Sequence, residues 1–483
     1  MLYQFPMDSG NYLIFIDSVN LSLGTNSIIS NISAEKIKVN FFKLESVEES
    51  TTTPMYLTFD TITLKDCELR FKESFITFSR IETQDDFNVV INNLLFSNIV
   101  FLSGGNVINF GHQMIKPIVL NNFRFENIFA GSIKLESRNT NLKFETKVIF
   151  QNGSFSQINT NFESILVLNQ GANLEIRNSS FNQVMSLNRG AIIFAGYRNT
   201  ITRIYDSSFA NITAIKASLF QIESGSVIKV YRCSIVSNFA VTAGVLAGTD
   251  DGYFEIYNST IHHNYALLNV VTELLSVSYE SIIDSTTMYN NEVILVSDMM
   301  NEFTKTCRLL CFVPVILREY INKNPSLYAF PTYYRMFDLV NAILTIRNGS
   351  TIYNQMSIAK CFMSTINLYD VEVFDLDAKN IGIGLASSAL NMANAVIYNV
   401  TTSNQLFFVY SDSGSAVNIQ NTSYFDSESQ FFTGISTSVT IDGLKIRSVK
   451  CTLSVLRVQD SDGIKISNTN ISGVTTSNAT SAC

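Results

Sequence analysis

The feature that most constrains this chain is a short apolar alternation that returns every 22 to 30 residues along almost its whole length. Aligned on one apolar anchor, each unit reads apolar, any, apolar, any, small polar, two of any kind, anchor. Leu174, Ile176, Asn178 and Phe181 fit this template, as do Val148, Phe150, Asn152 and Phe155. Phe254, Ile256, Asn258 and Ile261 fit it again, and so do Val417, Ile419, Asn421 and Tyr424. Period-two alternation is strand-like, and a near-regular period of this size marks stacked repeat units. The anchors are Leu21, Leu44, Leu69, Phe96, Phe125, Phe155, Phe181, Phe209, Ile235, Ile261 and Met288, then Thr351, Val373, Thr402, Tyr424, Ile446 and Ile471.

The position three residues before the anchor decides which kind of repeat this is. It holds Asn93, Asn122, Asn152, Asn178, Asn258, Asn348, Asn399, Asn421 and Asn468, with Asp66, Asp206, Asp370, Ser18, Ser285 and Gly443; only Phe41 and Arg232 depart. Asn, Asp and Gly tolerate the left-handed backbone region that a sharp bend needs. Stacked bends let Asn amides bond from one unit to the next, as in other stacked strands. A second strand follows many anchors, as in Gly190–Gly196, Ala217–Glu223 and Gln405–Tyr410. Turn residues then close the unit at Ser224–Ser226, Thr249–Gly252 and Ser411–Gly414. Each unit is therefore one coil of short strands. The expected fold is all-β, a right-handed parallel β-helix solenoid of about 17 coils with one insertion.

The motifs Phe209–Ala214 (FANITA), Ile235–Ala240 (IVSNFA), Ile261–Ala266 (IHHNYA) and Gly190–Ile193 (GAII) carry a family likeness. On these residues the chain resembles the pectin-lyase-like right-handed β-helix superfamily. Within it, the chain looks most like protist surface β-helix proteins and the polymorphic outer-membrane protein repeats of bacteria. The resemblance covers about residues 12 to 290 and 342 to 475. It implies fold and says little of function, because such motifs mark coil geometry.

The expected organisation is N-terminal coils over 12–290, an insertion or degenerate coils over 291–341, C-terminal coils over 342–475 and a tail over 476–483. Between anchors Met288 and Thr351 the period fails for 63 residues. That stretch holds Pro314, Pro325 and Pro331, the apolar run Leu309–Ile316 and the pair Cys307-x-x-x-Cys311. The two cysteines are disulfide candidates, or they share one helical face. The seven cysteines are sparse and odd in number, which argues against a disulfide framework.

Composition excludes several functions. Net charge is −8 and 15% of residues are charged, with no basic patch, so nucleic acid is not expected as a partner. No apolar stretch reaches the roughly 18 residues of a spanning helix. Met1–Gly10 shows neither a basic region nor an apolar one, so no secretory signal is visible. Either the protein is not secreted or the chain is a trimmed piece of a longer one.

Candidate chemistry is thin. Asp250-Asp251 lies beside Gly252 between two strands and reads as a turn, and Asp460-x-Asp462-Gly463 lacks the later ligands of a calcium loop. Of the three histidines, His262 and His263 point to opposite faces if their segment is extended, and so do not easily share a metal. His112 follows Gly111 without the surrounding acids of a polygalacturonase. No catalytic, cofactor or metal site is expected. Asn-x-Ser/Thr sequons occur at Asn20, Asn31, Asn152, Asn178, Asn211, Asn258, Asn348, Asn399, Asn421, Asn470 and Asn478. Six of them sit in the bend column, an exposed ridge, where N-linked glycans are accessible. Resemblance and sequons together place the chain outside the cell or at its surface.

The functional expectation is a non-catalytic structural scaffold, not an enzyme. It would be a filament subunit that pairs with itself end to end or through the insertion. The alternatives are a carbohydrate-binding or adhesive module, which aligned exposed aromatics would favour, and a polysaccharide lyase or hydrolase. A basic–acidic cluster on neighbouring coils would favour the last.

Overall fold

The computed structural model describes residues 12–17, 26–36, 40–48, 55–69, 74–82, 87–110, 117–135, 146–160, 164–169, 171–186, 190–196, 200–266, 269–293, 335–378, 381–402, 407–461 and 463–476. Among them every regular element is a β-strand. Each strand pairs in parallel with strands one coil away, so the fold is a parallel β-helix. The chain divides into two compact units, Met1–Lys229 and Val230–Cys483.

In the first unit the anchor column runs Ala34, Leu64, Phe96, Phe125, Phe155, Phe181 and Phe209, each residue in register with the next. Phe181 stacks on Phe155 with centroids 4.6 Å apart, and on Phe209 at 5.0 Å. The two apolar positions before the bend stack in the same way: Leu174 on Val148, and Ile176 between Phe150 and Ile204. All of these except the half-buried Ala34 are buried. Like lies on like because adjacent coils are about 4.8 Å apart, so a side chain meets its counterpart before anything else. Burying each such ring contributes roughly 1.5–3 kcal/mol.

In the second unit the column runs Ile235, Ile261, Met288, Ile352, Val373, Ile397, Tyr424, Ile446 and Ile471. Beside it lies a buried amide column. Asn238 Nδ2 donates to Asn264 Oδ1 (2.9 Å), and Asn264 Nδ2 to Asn291 Oδ1 (2.8 Å). These are the asparagines of IVSNFA and IHHNYA, held dry and paired along the stack.

The bends are left-handed. The φ angle is 56° at Asn152, 45° at Asn178, 51° at Asp206, 48° at Asn258 and 54° at Asp370. Arg232, an apparent exception in the sequence, adopts 52° as well. A second column of positive φ follows about five residues later, at Asp66, Asn98, Asn127, Gln183, Asn211, His263 and Asn399. This corrects the expected register. Asp66 and Asn399 belong to the second bend, so Leu69 and Thr402 are not anchors: Leu69 pairs with Phe101, and Thr402 with Ala378. Leu44 pairs with Ile16 and Phe78 in another column. Thr351 stands one residue before the true anchor Ile352, and Leu21 lies outside the described residues. Both bends place Asn or Asp three residues before a buried side chain, so a single-bend template accepts either. The number of coils is accordingly somewhat smaller than 17.

Met288 pairs directly with Ile352, although 63 residues separate Met288 from Thr351. The join is polar as well as apolar. Arg347 Nε donates to Asp284 Oδ2 (2.8 Å), as does Asn348 Nδ2 (2.7 Å), and Ser285 Oγ donates to Asp284 Oδ1 (2.8 Å). Burial penalises the Asp284 carboxylate, but these hydrogen bonds and the Arg347 charge outweigh it and hold its pKa below the ordinary value. A depressed folded-state pKa contributes stability above the unfolded value, which is lost as pH falls through the folded one. Thermal melting between neutral pH and pH of about 2 should therefore show a shallower acid dependence for Asp284→Asn than for wild type. Equal acid dependence would contradict this account of the join.

Candidate carbohydrate-binding face

In a strand the neighbour of an inward residue points out. One position after the anchors, the second unit carries His262, Tyr289, Tyr353, Phe374, Tyr398 and Phe425. Their rings stack face to face at 4.6, 4.9, 4.8, 5.1 and 5.2 Å, with interplanar angles of 4 to 9°. Arg447 closes the series 5.5 Å from the Phe425 centroid. All six rings are half-buried. Each ring covers its neighbour's face, so the ladder shows solvent its edges. Tyr398 hydroxyl donates to Glu372 Oε1 (3.1 Å). Burial raises the pKa of Tyr353 and of Tyr398. This is the aligned aromatic series that would favour a carbohydrate module, but stacked in this way it forms a rigid rim and offers no flat platform.

On the strands before the bend, the outward positions of the same unit are small and polar. Thr345, Asn367, Asn391, Asn418 and Thr440 form one column. Asn391 Nδ2 donates to Asn367 Oδ1 (2.8 Å), and Asn367 Nδ2 to Thr345 Oγ1 (2.9 Å). The ladder stops there. Asn391 Oδ1 and Asn418 Nδ2 have no hydrogen-bond partner among the described residues, and both side chains line an open depression. Ala416, Gln420, Ser438 and Thr440 complete its walls. Alanine makes the hollow, and carboxamides and hydroxyls supply donors and acceptors at the coil spacing.

The first unit holds the basic–acidic grouping that sequence reading did not find. Glu175 has 6% of its side chain exposed and lies 3.4 Å from Lys147 Nζ, one coil before it. It also pairs with Arg177. On the following coil Arg203 donates to Asn173 Oδ1 (3.2 Å). The signal was available: Glu175, Arg177 and Arg203 occupy outward positions of adjacent repeats, once those repeats are in register.

The acids singled out in the sequence are turns. Asp250 and Asp251 both have positive φ, and Asp251 Oδ1 accepts from Ser278 N (2.8 Å) and from the Ser278 hydroxyl, which hold its pKa down. Asp460 and Gly463 are bends, and Asp462 lies outside the described residues. His112, Cys307, Cys311, Asn20 and Asn478 also lie outside them. The remaining sequon asparagines, Asn31, Asn152, Asn178, Asn211, Asn258, Asn348, Asn399, Asn421 and Asn470, are all exposed. Asn178 donates to Asn152 (2.8 Å) and Asn211 to Asn182 (2.9 Å), so these amides build the stack as well. His262 and His263 are brought together, against expectation, because the second bend falls on His263 (φ 52°) and the segment is not extended. Among the described residues no group of three or more His, Cys, Asp or Glu could hold a metal ion, and no helix is long and apolar enough to cross a membrane.

No protein-family model matches the chain, and no curated protein matches it. Solved structures do. The PL6 family alginate lyase AlyGC is 11% identical, with 96% of this chain and 100% of that chain covered and a TM-score of 0.20. An arginine-to-alanine mutant of the same lyase is 11% identical over 97% and 99%, with a TM-score of 0.17. The catalytic unit of a thermostable GH87 alpha-1,3-glucanase from Streptomyces thermodiastaticus is 10% identical over 92% and 64%, with a TM-score of 0.22. The similar structures are thus polysaccharide-acting enzymes, where a non-catalytic structural chain was expected. The expectation of a non-catalytic scaffold or filament subunit is set aside and not proposed again. At this identity the likeness is one of fold alone, and no residue, substrate or activity is carried over from it.

Proposed function

We propose that this chain binds a linear, neutral polysaccharide laid along the coils of its second unit. The observation that carries the reading is the interrupted amide ladder, with Asn391 Oδ1 and Asn418 Nδ2 left open to a polar hollow. A chain of repeating hydroxylated units meets equivalent groups at every coil, spaced by about 4.8 Å. The half-buried ring edges of the aromatic ladder stiffen the neighbouring strands, so the amides are fixed before the ligand arrives, which lowers the ordering cost of binding. A second reading, cleavage of a polysaccharide at the first unit, is favoured by Glu175, an acid with a basic side chain on its own strand, Arg177, and another on the preceding coil, Lys147.

Such a protein works outside the cell or at its surface, and the finer resemblance to protist and bacterial surface repeats agrees with that. There the exposed sequon asparagines are acceptors for N-glycans. Treatment of the native protein with an N-glycan-removing amidase should lower its mass, and an unchanged mass would contradict this part of the proposal.

Affinity electrophoresis against a panel of neutral linear polysaccharides tests the main reading. At least one should retard the wild-type chain, and the double variant Asn391→Ala, Asn418→Ala should lose most of that retardation. The reading fails if no polysaccharide retards the chain, or if the double variant is retarded equally. Sizing the polymer after incubation addresses cleavage: shortening that Glu175→Gln abolishes supports it, whereas an unchanged polymer leaves binding alone.

A further inference from the structure

We propose that His262 and His263 form a cis-chelating site for a divalent ion of the copper(II) class. The two Nδ1 atoms are 2.8 Å apart, and the ring centroids 5.1 Å apart at an interplanar angle of 82°. Adjacent strand residues normally diverge. These converge because the second bend of the coil, φ 52°, falls between their side chains.

The distance selects a geometry. With metal–nitrogen bonds of about 2.0 Å, two nitrogens 2.8 Å apart subtend about 90° at the metal. A tetrahedral ion needs about 3.3 Å between the same atoms. The right angle is that of a tetragonal or square-planar ion. Two half-buried imidazoles supply two cis positions, and water supplies the rest.

The surroundings fit neutral, oriented imidazoles. His262 stacks on Tyr289 with centroids 4.6 Å apart and planes 5° apart, which fixes its ring. Burial, and then the neighbouring His263, lower its pKa. His263 Nε2 lies 3.2 Å from the Asn290 carboxamide. Without metal, the Nδ1 contact is an N–H···N hydrogen bond with one proton between the rings. With metal, His263 carries its proton on Nε2 instead, and Asn290 accepts it by turning its amide, whose O and N ends are interchangeable by rotation. The proton moves from one ring nitrogen to the other. Tyr289, a titratable neighbour, lies parallel to the His262 ring and edge-on to the His263 ring.

Copper(II) chloride titrated into the full chain, read by electron paramagnetic resonance and calorimetry, tests the site. The chain has three histidines, so the controls are few. Wild type should take up one ion with a tetragonal spectrum showing two nitrogen ligands. His263→Asn keeps a residue suited to the bend and should weaken binding at least about tenfold and remove one nitrogen. His262→Gln should do the same from the other side, and each variant is read only with its melting temperature unchanged. His112→Asn should leave affinity and spectrum as they are. No uptake at micromolar copper would overturn the proposal, as would unchanged affinity in both His262→Gln and His263→Asn or loss of the signal in His112→Asn.

Discussion

Everything in this molecule depends on a bend that returns the chain over itself and hydrogen-bonds to the next coil while doing so. Asn178 N donates to Tyr205 O (3.0 Å), and Asn258 N to Asp284 O (3.0 Å). A left-handed residue costs an ordinary side chain roughly 1–2 kcal/mol. Asparagine reduces that cost through its own amide, which reaches the preceding coil: Asn178 to Asn152, Asn468 to Asp442 (2.7 Å). Strain, backbone bond and side-chain bond therefore meet at one residue per bend. Once the bends superpose, the anchors superpose too, and the core fills with like on like.

From that constraint the surface follows. Positions next to buried anchors must point out, and at the coil spacing they too must lie on their counterparts. Aromatic residues there become the ladder from His262 to Phe425, and carboxamides become Asn367 on Thr345 and Asn391 on Asn367. A polar hollow arises where such a column is interrupted, and the interruption is at Asn391 and Asn418, with Ala416 beside them.

The fold was legible because period-two alternation and the Asn column are local signals repeated many times, so one misread coil does not disturb the rest. Register was harder. Each coil has two left-handed bends, and Asp66-x-x-Leu69 satisfies the template as well as Asn93-x-x-Phe96 does. Arg232 shows the converse, a bend whose residue type gives no sign of it. The candidate site was the least legible part. Glu175, Lys147 and Arg177 come together only when Lys147 and Asn173 are known to be partners across coils. The convergence of His262 and His263 needed the second bend, which a strand reading of that segment hides.

Residue-resolved amide hydrogen exchange tests the central claim most directly. In an isolated turn the bend amides face water and exchange quickly. Here the amides of Asn178 and Asn258 donate to the next coil, so they should be protected as strongly as those of their neighbours Ile176 and Ile256. Fast exchange at both asparagines, with slow exchange in the strands, would mean that the bends are not stacked and that the account of the coil is wrong.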